Sequence, residues 1–232
     1  MNPRLILFSS LYLSLGSLVN LVYLVLLPYT ILFDRNRILY LRIFYLYHRT
    51  IARLFWETEI TGVPVKAIPR PCVFVVNHQT FLDNLSIYLS YPHLCRSMLK
   101  TGVRWYPVLG TMHMLLDNVF VDRLSRWSGK KAIQKSIRHL QNGISLILFP
   151  EGQRSRTEEL LEFKIGSFKI ACEAGVPVVP VRQEMRKIFD ESIKSLSPGT
   201  FRCHVFKSID TTNKTPDEVR QLAFQQIQSK IL

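Results

Sequence analysis

Between Leu5 and Phe33 the chain carries no charged residue over 29 positions. A membrane-spanning helix needs about 20 apolar residues, so this run must meet lipid or be enclosed by a core far larger than 232 residues can build. It is too long for a simple secretory signal and lacks a small-residue cleavage pattern. Pro28 is expected to kink or end its first helix. Basic residues flank it on both sides, Arg4 before and Arg35 and Arg37 after. A full span and a hairpin dipping into one leaflet, with both ends on the cytoplasmic side, both satisfy those flanks.

The next segment, Ile38 to Phe55, is amphipathic. At 100° per residue, Arg35, Arg42, Arg49 and Arg53 fall within roughly 40° of one another. Leu41, Phe44, Ile51 and Phe55 are among the apolar residues on the other faces. The pattern predicts a helix lying in a membrane interface, with the arginines reaching anionic head groups. The competing reading is a core helix with one solvated face. A net charge of +13 and a mean hydropathy of +0.11, with 20% charged residues, suit a soluble domain joined to a lipid-facing element and an anionic partner. Nucleic acid is disfavoured, because the arginine stripe adjoins an apolar run rather than aromatic stacking platforms.

From about residue 60 strands and helices alternate. "CVFVVNHQ", "NVFVDR", "ISLILFPEG", "VPVVPV" and "FRCHVFKSI" read as strands. Helices are expected after the first strand through Leu89, over "SGKKAIQKSIRHLQNG", over "GSFKIACEAG", and over "TPDEVRQLAFQQIQSKIL" with Thr215 as N-cap and Pro216 in the first turn. Strands apolar on both faces belong in a covered sheet. The expected architecture is α/β, a mostly parallel sheet flanked by helices, with an N-terminal membrane-embedded two-helix motif. Residues 1–58 would form the membrane-associated helices and residues 59–232 the α/β domain. The four cysteines, Cys72, Cys95, Cys172 and Cys203, are widely spaced in apolar surroundings and read as small buried hydrophobes, not as metal ligands.

Chemistry concentrates at strand ends. In "NHQTFLD", five residues separate His78 from Asp83, which puts them about 140° apart within one regular helix. They meet only if His78 sits on the loop and Asp83 points back from the first helical turn, where the carboxylate could fix the imidazole tautomer. The alternative is a capping-box-like helix start, with Thr80 as N-cap and Asp83 bonded to backbone. "FPEGQRS" places a tight loop and Arg154 at another strand end, where α/β sheets bind ligands and guanidinium groups suit phosphate. Read alone it could equally be a polar turn. Arg123 and Lys100 also follow apolar segments; singly each reads as a surface charge, whereas three strand ends bringing cations to one sheet edge would form an anion site.

These stretches, taken in order, resemble the PlsC-type glycerolipid acyltransferases, the family of 1-acylglycerol-3-phosphate acyltransferases. Its N-H-x4-D block is "NHQTFLD" here, its F-[IV]-x-R is "FVDR", its F-P-E-G-x-R-S is "FPEGQRS", and its V-P-[IV]-[IV]-P-[IV] is "VPVVPV". The resemblance covers about residues 60 to 185. It implies a general base at His78 oriented by Asp83, acting on the sn-2 hydroxyl of lysophosphatidate. It implies a phosphate site at Arg123, Glu151, Gly152 and Arg154, with Lys100 as an addition. No metal, cofactor or covalent acyl-enzyme is implied; acyl-CoA or acyl carrier protein would be the co-substrate. The protein would work at a membrane phospholipid surface, its active site on the cytoplasmic face, without a nucleic-acid partner. Acylation of glycerol 3-phosphate or another lysophospholipid, and a non-catalytic basic lipid-binding protein, are the alternatives. Two departures stand out: Asp117 replaces a usual glycine and Gln153 a frequent threonine, and an acid near the acceptor would alter head-group preference. His48, His93, His113, His139 and His204 match no block and are expected on the surface or in packing.

Overall fold

The computed structural model describes residues 2–83, 95–122, 124–155, 157 and 159–229. It opens with three helices, α1 (Pro3–Val25), α2 (Leu27–Phe33) and α3 (Ile38–Phe55). Helix α1 ends at Val25, just ahead of Pro28, which stands in the first turn of α2, where a missing N–H costs nothing. Then follow β1 (Glu57–Gly62), β2 (Val73–Val76), β3 (Cys95–Lys100), α4 (Leu109–Leu115), β4 (Val119–Val121), α5 (Arg126–Gln141) and β5 (Ser145–Leu148). The chain continues through α6 (Gly166–Ala174), β6 (Val178–Glu184), a hairpin of β7 (Phe189–Asp190) and β8 (Ser195–Leu196), β9 (Thr200–Val205) and α7 (Pro216–Gln228). The helix expected through Leu89 lies outside the described residues beyond Asp83.

Among the described residues seven strands form one sheet in the order β1-β9-β6-β2-β5-β3-β4. Its neighbours run parallel except β6 and β9. The central strands are apolar on both sides because both sides are covered. Val73 and Val75 of β2, with Leu146 and Leu148 of β5, face a cluster holding Leu140 of α5, Phe168 of α6 and Val219 of α7. Phe74 and Val76, with Ile147, face a second cluster holding Phe8 of α1, Phe44 and Ile51 of α3 and Met112 of α4. Strand alternation therefore divides one run of apolar residues between two cores.

That second cluster corrects the interfacial reading of Ile38–Phe55. Tyr40, Leu41, Phe44, Tyr47, Ile51 and Phe55 are buried on the protein, while Arg42, Arg49 and Arg53 stand exposed on the opposite side. Helix α3 is thus a core helix with a basic outer face. Asp34 caps it, accepting from the N–H groups of Ile38 and Leu39 at 2.8 Å each. Helix α1 differs. Only 17% of its most apolar window is buried, and with 23 residues it is long and apolar enough to cross a membrane. The boundary expected between residues 58 and 59 falls inside β1.

Candidate active site

Because β2, β5, β3 and β4 are parallel neighbours, their carboxyl ends open on one edge of the sheet. Asn77 fastens β2 to β6 there: its Nδ2 donates to the Gln183 carbonyl at 3.0 Å, and its Oδ1 accepts from the Gln183 N–H at 2.8 Å. Nothing in the sequence reading singled out Asn77 or Gln183; the asparagine inside the first block was the available signal.

His78 follows immediately, and its ring stacks on Phe149 with centroids 4.2 Å apart. Its Nδ1 lies 2.7 Å from Asp83 Oδ2, and the Asp83 side chain is fully buried. Asp83 also holds the helix start. Oδ2 accepts from the N–H groups of Gln79 at 2.5 Å and Thr80 at 2.9 Å, and Oδ1 accepts from Thr80 Oγ1 at 2.8 Å. The His78 contact and the capping arrangement thus coexist in one carboxylate. With Nδ1–H directed at Asp83, the ring's Nε2 carries the lone pair. His78 lines a cavity of about 1590 Å³.

The loop after β5 is tied to the same point. Glu151 Oε1 accepts from the backbone N–H of His78 at 2.7 Å, and Oε2 accepts from the N–H of Leu161 at 3.1 Å. The His78 carbonyl accepts from Ser155 N–H at 2.7 Å. Glu151 therefore braces two loops, and it is absent from the cavity wall while its neighbours Gly152, Gln153 and Arg154 are on it. Burial pushes its carboxyl up to about 6. Gly152 has φ +69°, and a β-carbon there would come within 3.0 Å of the Lys164 side chain.

Arg154 Nη1 is 2.6 Å from Glu191 Oε1, which also accepts from the Phe81 N–H; Glu191 sits at the turn of the β7–β8 hairpin. Lys100, at the end of β3, is exposed and lines the cavity. Arg123 lies outside the described residues. The structure thus brings His78, Lys100, Gly152 and Arg154 to one cavity. It adds Arg126, Lys164 and Arg186, which fall outside the blocks and which sequence reasoning missed. Leu5, Phe8 and Leu13 of α1 and Ile133 of α5 supply apolar wall.

Asp117 does not line this cavity. It holds φ +57° in the turn before β4, and its carboxylate pairs with Lys135 Nζ at 2.5 Å. A left-handed backbone explains why glycine suits the position, and a carboxylate paired with Lys135 off the cavity wall does not act on an acceptor head group as the sequence suggested. His48 and His113 are packed in the core yet line the cavity, and burial lowers both to about 3, which keeps them neutral. His139 is buried against Asp117, His204 accepts or donates at 2.8 Å to exposed Thr61, and His93 lies outside the described residues. Among the described residues no group of three or more His, Cys, Asp or Glu is placed to hold a metal ion.

A mostly parallel sheet covered by helices on both faces, with a mixed cationic and apolar cavity at its carboxyl edge, defines an α/β protein whose candidate ligand site lies at that edge. Residues 59–184 match the family described as "Acyltransferase", and the chain belongs to that family. The chloroplastic 1-acyl-sn-glycerol-3-phosphate acyltransferase BAT2 of Brassica napus is 35% identical over 163 residues, 66% of this chain and 45% of that one. The 1-acyl-sn-glycerol-3-phosphate acyltransferase of Haemophilus influenzae is 32% identical over 155 residues, 65% of this chain and 63% of that one. This chain therefore spans from 45% to 63% of the length of these two curated relatives. The crystal structure of the 1-acyl-sn-glycerophosphate acyltransferase PlsC from Thermotoga maritima superposes with a TM-score of 0.77 at 23% identity, covering 97% of this chain and 91% of that chain. At that identity the likeness establishes the shared fold.

Proposed function

We propose that this chain transfers a fatty acyl group from a thioester to the sn-2 hydroxyl of 1-acylglycerol 3-phosphate, giving phosphatidate, with His78 as general base. The observation that carries the reading is the 2.7 Å contact between His78 Nδ1 and the buried Asp83 carboxylate, which leaves Nε2 as the ring's proton acceptor. Nε2 takes the hydroxyl proton as the oxygen attacks the thioester carbonyl. The tetrahedral intermediate then expels the thiolate, which recovers the proton from the imidazolium. Base catalysis of this kind is worth about 10²–10⁴-fold, and holding both substrates in line adds to it.

Arg154, Lys100 and Arg123 would take the acceptor phosphate, with Gly152 allowing close approach and Glu151 holding the loop that carries Arg154. Either acyl-CoA or acyl carrier protein would deliver the thioester; no metal or organic cofactor enters the scheme. Helix α1 would anchor the protein in a phospholipid membrane, and its basic flanks Arg4, Arg35 and Arg37 favour a cytoplasmic active site. The relatives named for this reaction support the substrate assignment.

Wild type and His78→Ala, purified in detergent, test the reading through thiol release from an acyl-CoA with lysophosphatidate as acceptor. Acceptor-dependent release that falls at least a hundredfold in the variant is the expected result. Equal rates in both proteins would make His78 structural and sink the mechanism.

A further inference from the structure

Around the mouth of the cavity several large apolar side chains stand in water. Trp105 is 84% exposed, Leu124 98% and Trp127 67%, and Phe81 and Tyr106 beside them are also exposed. They come from two parallel neighbours: Trp105 and Tyr106 follow β3, Leu124 and Trp127 follow β4, and the two strands pair Lys100 with Val121. Both segments therefore leave the sheet at the edge that carries His78. The Arg104 guanidinium lies over the Phe120 ring at 4.4 Å, and the Tyr106 ring stands 6.0 Å from Phe81, so the first segment is fixed to β4 and to the His78–Asp83 loop. Phe81, Tyr106, Leu124 and Arg126 line the cavity itself, which makes this cluster its lip.

The charges around the lip have one dominant sign. Lys100, Arg104, Arg126, Lys130 and Lys131 are exposed there, and Lys131 Nζ sits 3.4 Å from the centre of the Trp127 ring. The acids beside the lip are Asp122, exposed and accepting from Leu124 N–H at 3.0 Å, and Glu191, which accepts from the Phe81 N–H and pairs with Arg154. Tryptophan and tyrosine, with one polar atom on an apolar ring, settle at the head-group level of a bilayer. Each nearby lysine or arginine strengthens partitioning to an anionic surface by about fivefold. The lip is also joined to the candidate span. Helix α4 begins just past Tyr106, and α1 is seated on its start, with Asn20 Nδ2 donating to the Val108 carbonyl at 3.0 Å.

We infer that Trp105, Leu124 and Trp127 form a second membrane contact, inserted among the head groups of an anionic bilayer and holding the cavity mouth against the lipid surface. An amphipathic acceptor then enters the cavity from the bilayer without crossing water. That catalytic consequence rests on the function proposed above; the docking itself does not.

The chain has three tryptophans, and the third, Trp56, is buried in the core, so fluorescence reads the lip directly. The full chain is reconstituted in vesicles of phosphatidylcholine and phosphatidylglycerol, with plain or brominated acyl chains. A Trp56→Phe variant, which keeps Trp105 and Trp127, should lose half or more of its emission in brominated vesicles. A Trp105→Phe/Trp127→Phe variant should lose a much smaller share. Equal emission of Trp56→Phe in the two vesicles overturns the proposal. So does protection of these tryptophans by an acidic carrier protein without lipid quenching, which would make the lip a protein-docking surface. In kinetics, Trp105→Ser/Trp127→Ser should raise the apparent KM for vesicle-borne lysophosphatidate about tenfold and leave turnover of a short-chain, water-soluble acceptor unchanged. An equal loss with both acceptors overturns the proposal, whereas absence of transfer by wild type would count against the function and leave the quenching result standing.

Discussion

Asp83→Asn separates what the Asp83 charge does from what its shape does. Oδ2 receives three donors, from His78 Nδ1, Gln79 N and Thr80 N, whereas Oδ1 accepts from the Thr80 hydroxyl, a group that can also accept. The two backbone N–H groups force an asparagine to place its oxygen at the Oδ2 position and its NH₂ toward Thr80 Oγ1. The imidazole keeps its tautomer, and only the charge opposite the forming imidazolium is lost. A hydrogen bond to a charged group is worth about 1.5–3 kcal/mol against about 0.5–1.5 for a neutral one, so the loss is about 1–2 kcal/mol. At 1.36 kcal/mol per decade, kcat for thiol release falls about 5- to 30-fold. Asp83→Ala removes the acceptor as well. It leaves two buried N–H groups unpaired at about 1–3 kcal/mol each, and at about 2–4 °C per kcal/mol the melting temperature drops markedly. Wild-type turnover by the asparagine variant would show that the carboxylate charge has no role. A loss above a thousandfold with an unchanged melting temperature would show that Oδ2 does not set the tautomer.

Glu151, raised to about 6 from an ordinary 4.5, binds its proton more tightly folded than unfolded, so its contribution to stability declines as pH rises through that window, by about 2 kcal/mol in all. Glu151→Gln should lose this slope in melting scans from pH 4 to 8 while costing about 1–3 kcal/mol for the N–H it cannot accept; an unchanged slope would assign the titration elsewhere. Gly16 lies in mid-helix, where alanine normally stabilises by about 1 kcal/mol, but its β-carbon would stand 2.5 Å from Val108 Cγ1 and 2.9 Å from Tyr47 Oη. Gly16→Ala should therefore destabilise by about 1–3 kcal/mol, and a more stable variant would mean α1 does not pack on α4 as described. Glu191→Gln frees Arg154 and the Phe81 amide from a competing carboxylate, and should lower KM for lysophosphatidate about two- to fivefold at constant kcat. A raised KM would make Glu191 a residue that positions Arg154.

What the sequence made legible follows from what each residue meets. Strands β2 and β5 were readable because helices cover both faces of the sheet, and such strands are apolar at every position. Strand β3 was not. Arg96 and Ser97 are buried in it, and their partners, the Asn36 carbonyl at 2.5 Å and Asn118 Oδ1 at 2.8 Å, are distant in the chain. Strand β1 is exposed along its whole length and pairs with residues 143 positions away, Glu57 with Thr200. The apolar side of α3 was read as lipid-facing because amphipathicity reports that a helix leaves water, not which apolar neighbour receives it. A similar limit applies at the site. Spacing offered a contact to His78 or a cap as alternatives for Asp83, and one carboxylate with four lone-pair directions makes both sets of bonds. Glu151 shows the converse. An acid in a phosphate-site block suggests ligand chemistry, yet both of its oxygens are turned to backbone amides of His78 and Leu161. It fixes the position of His78, and under the proposed function a carboxylate aimed away from the cavity would also spare the acceptor phosphate a repelling charge.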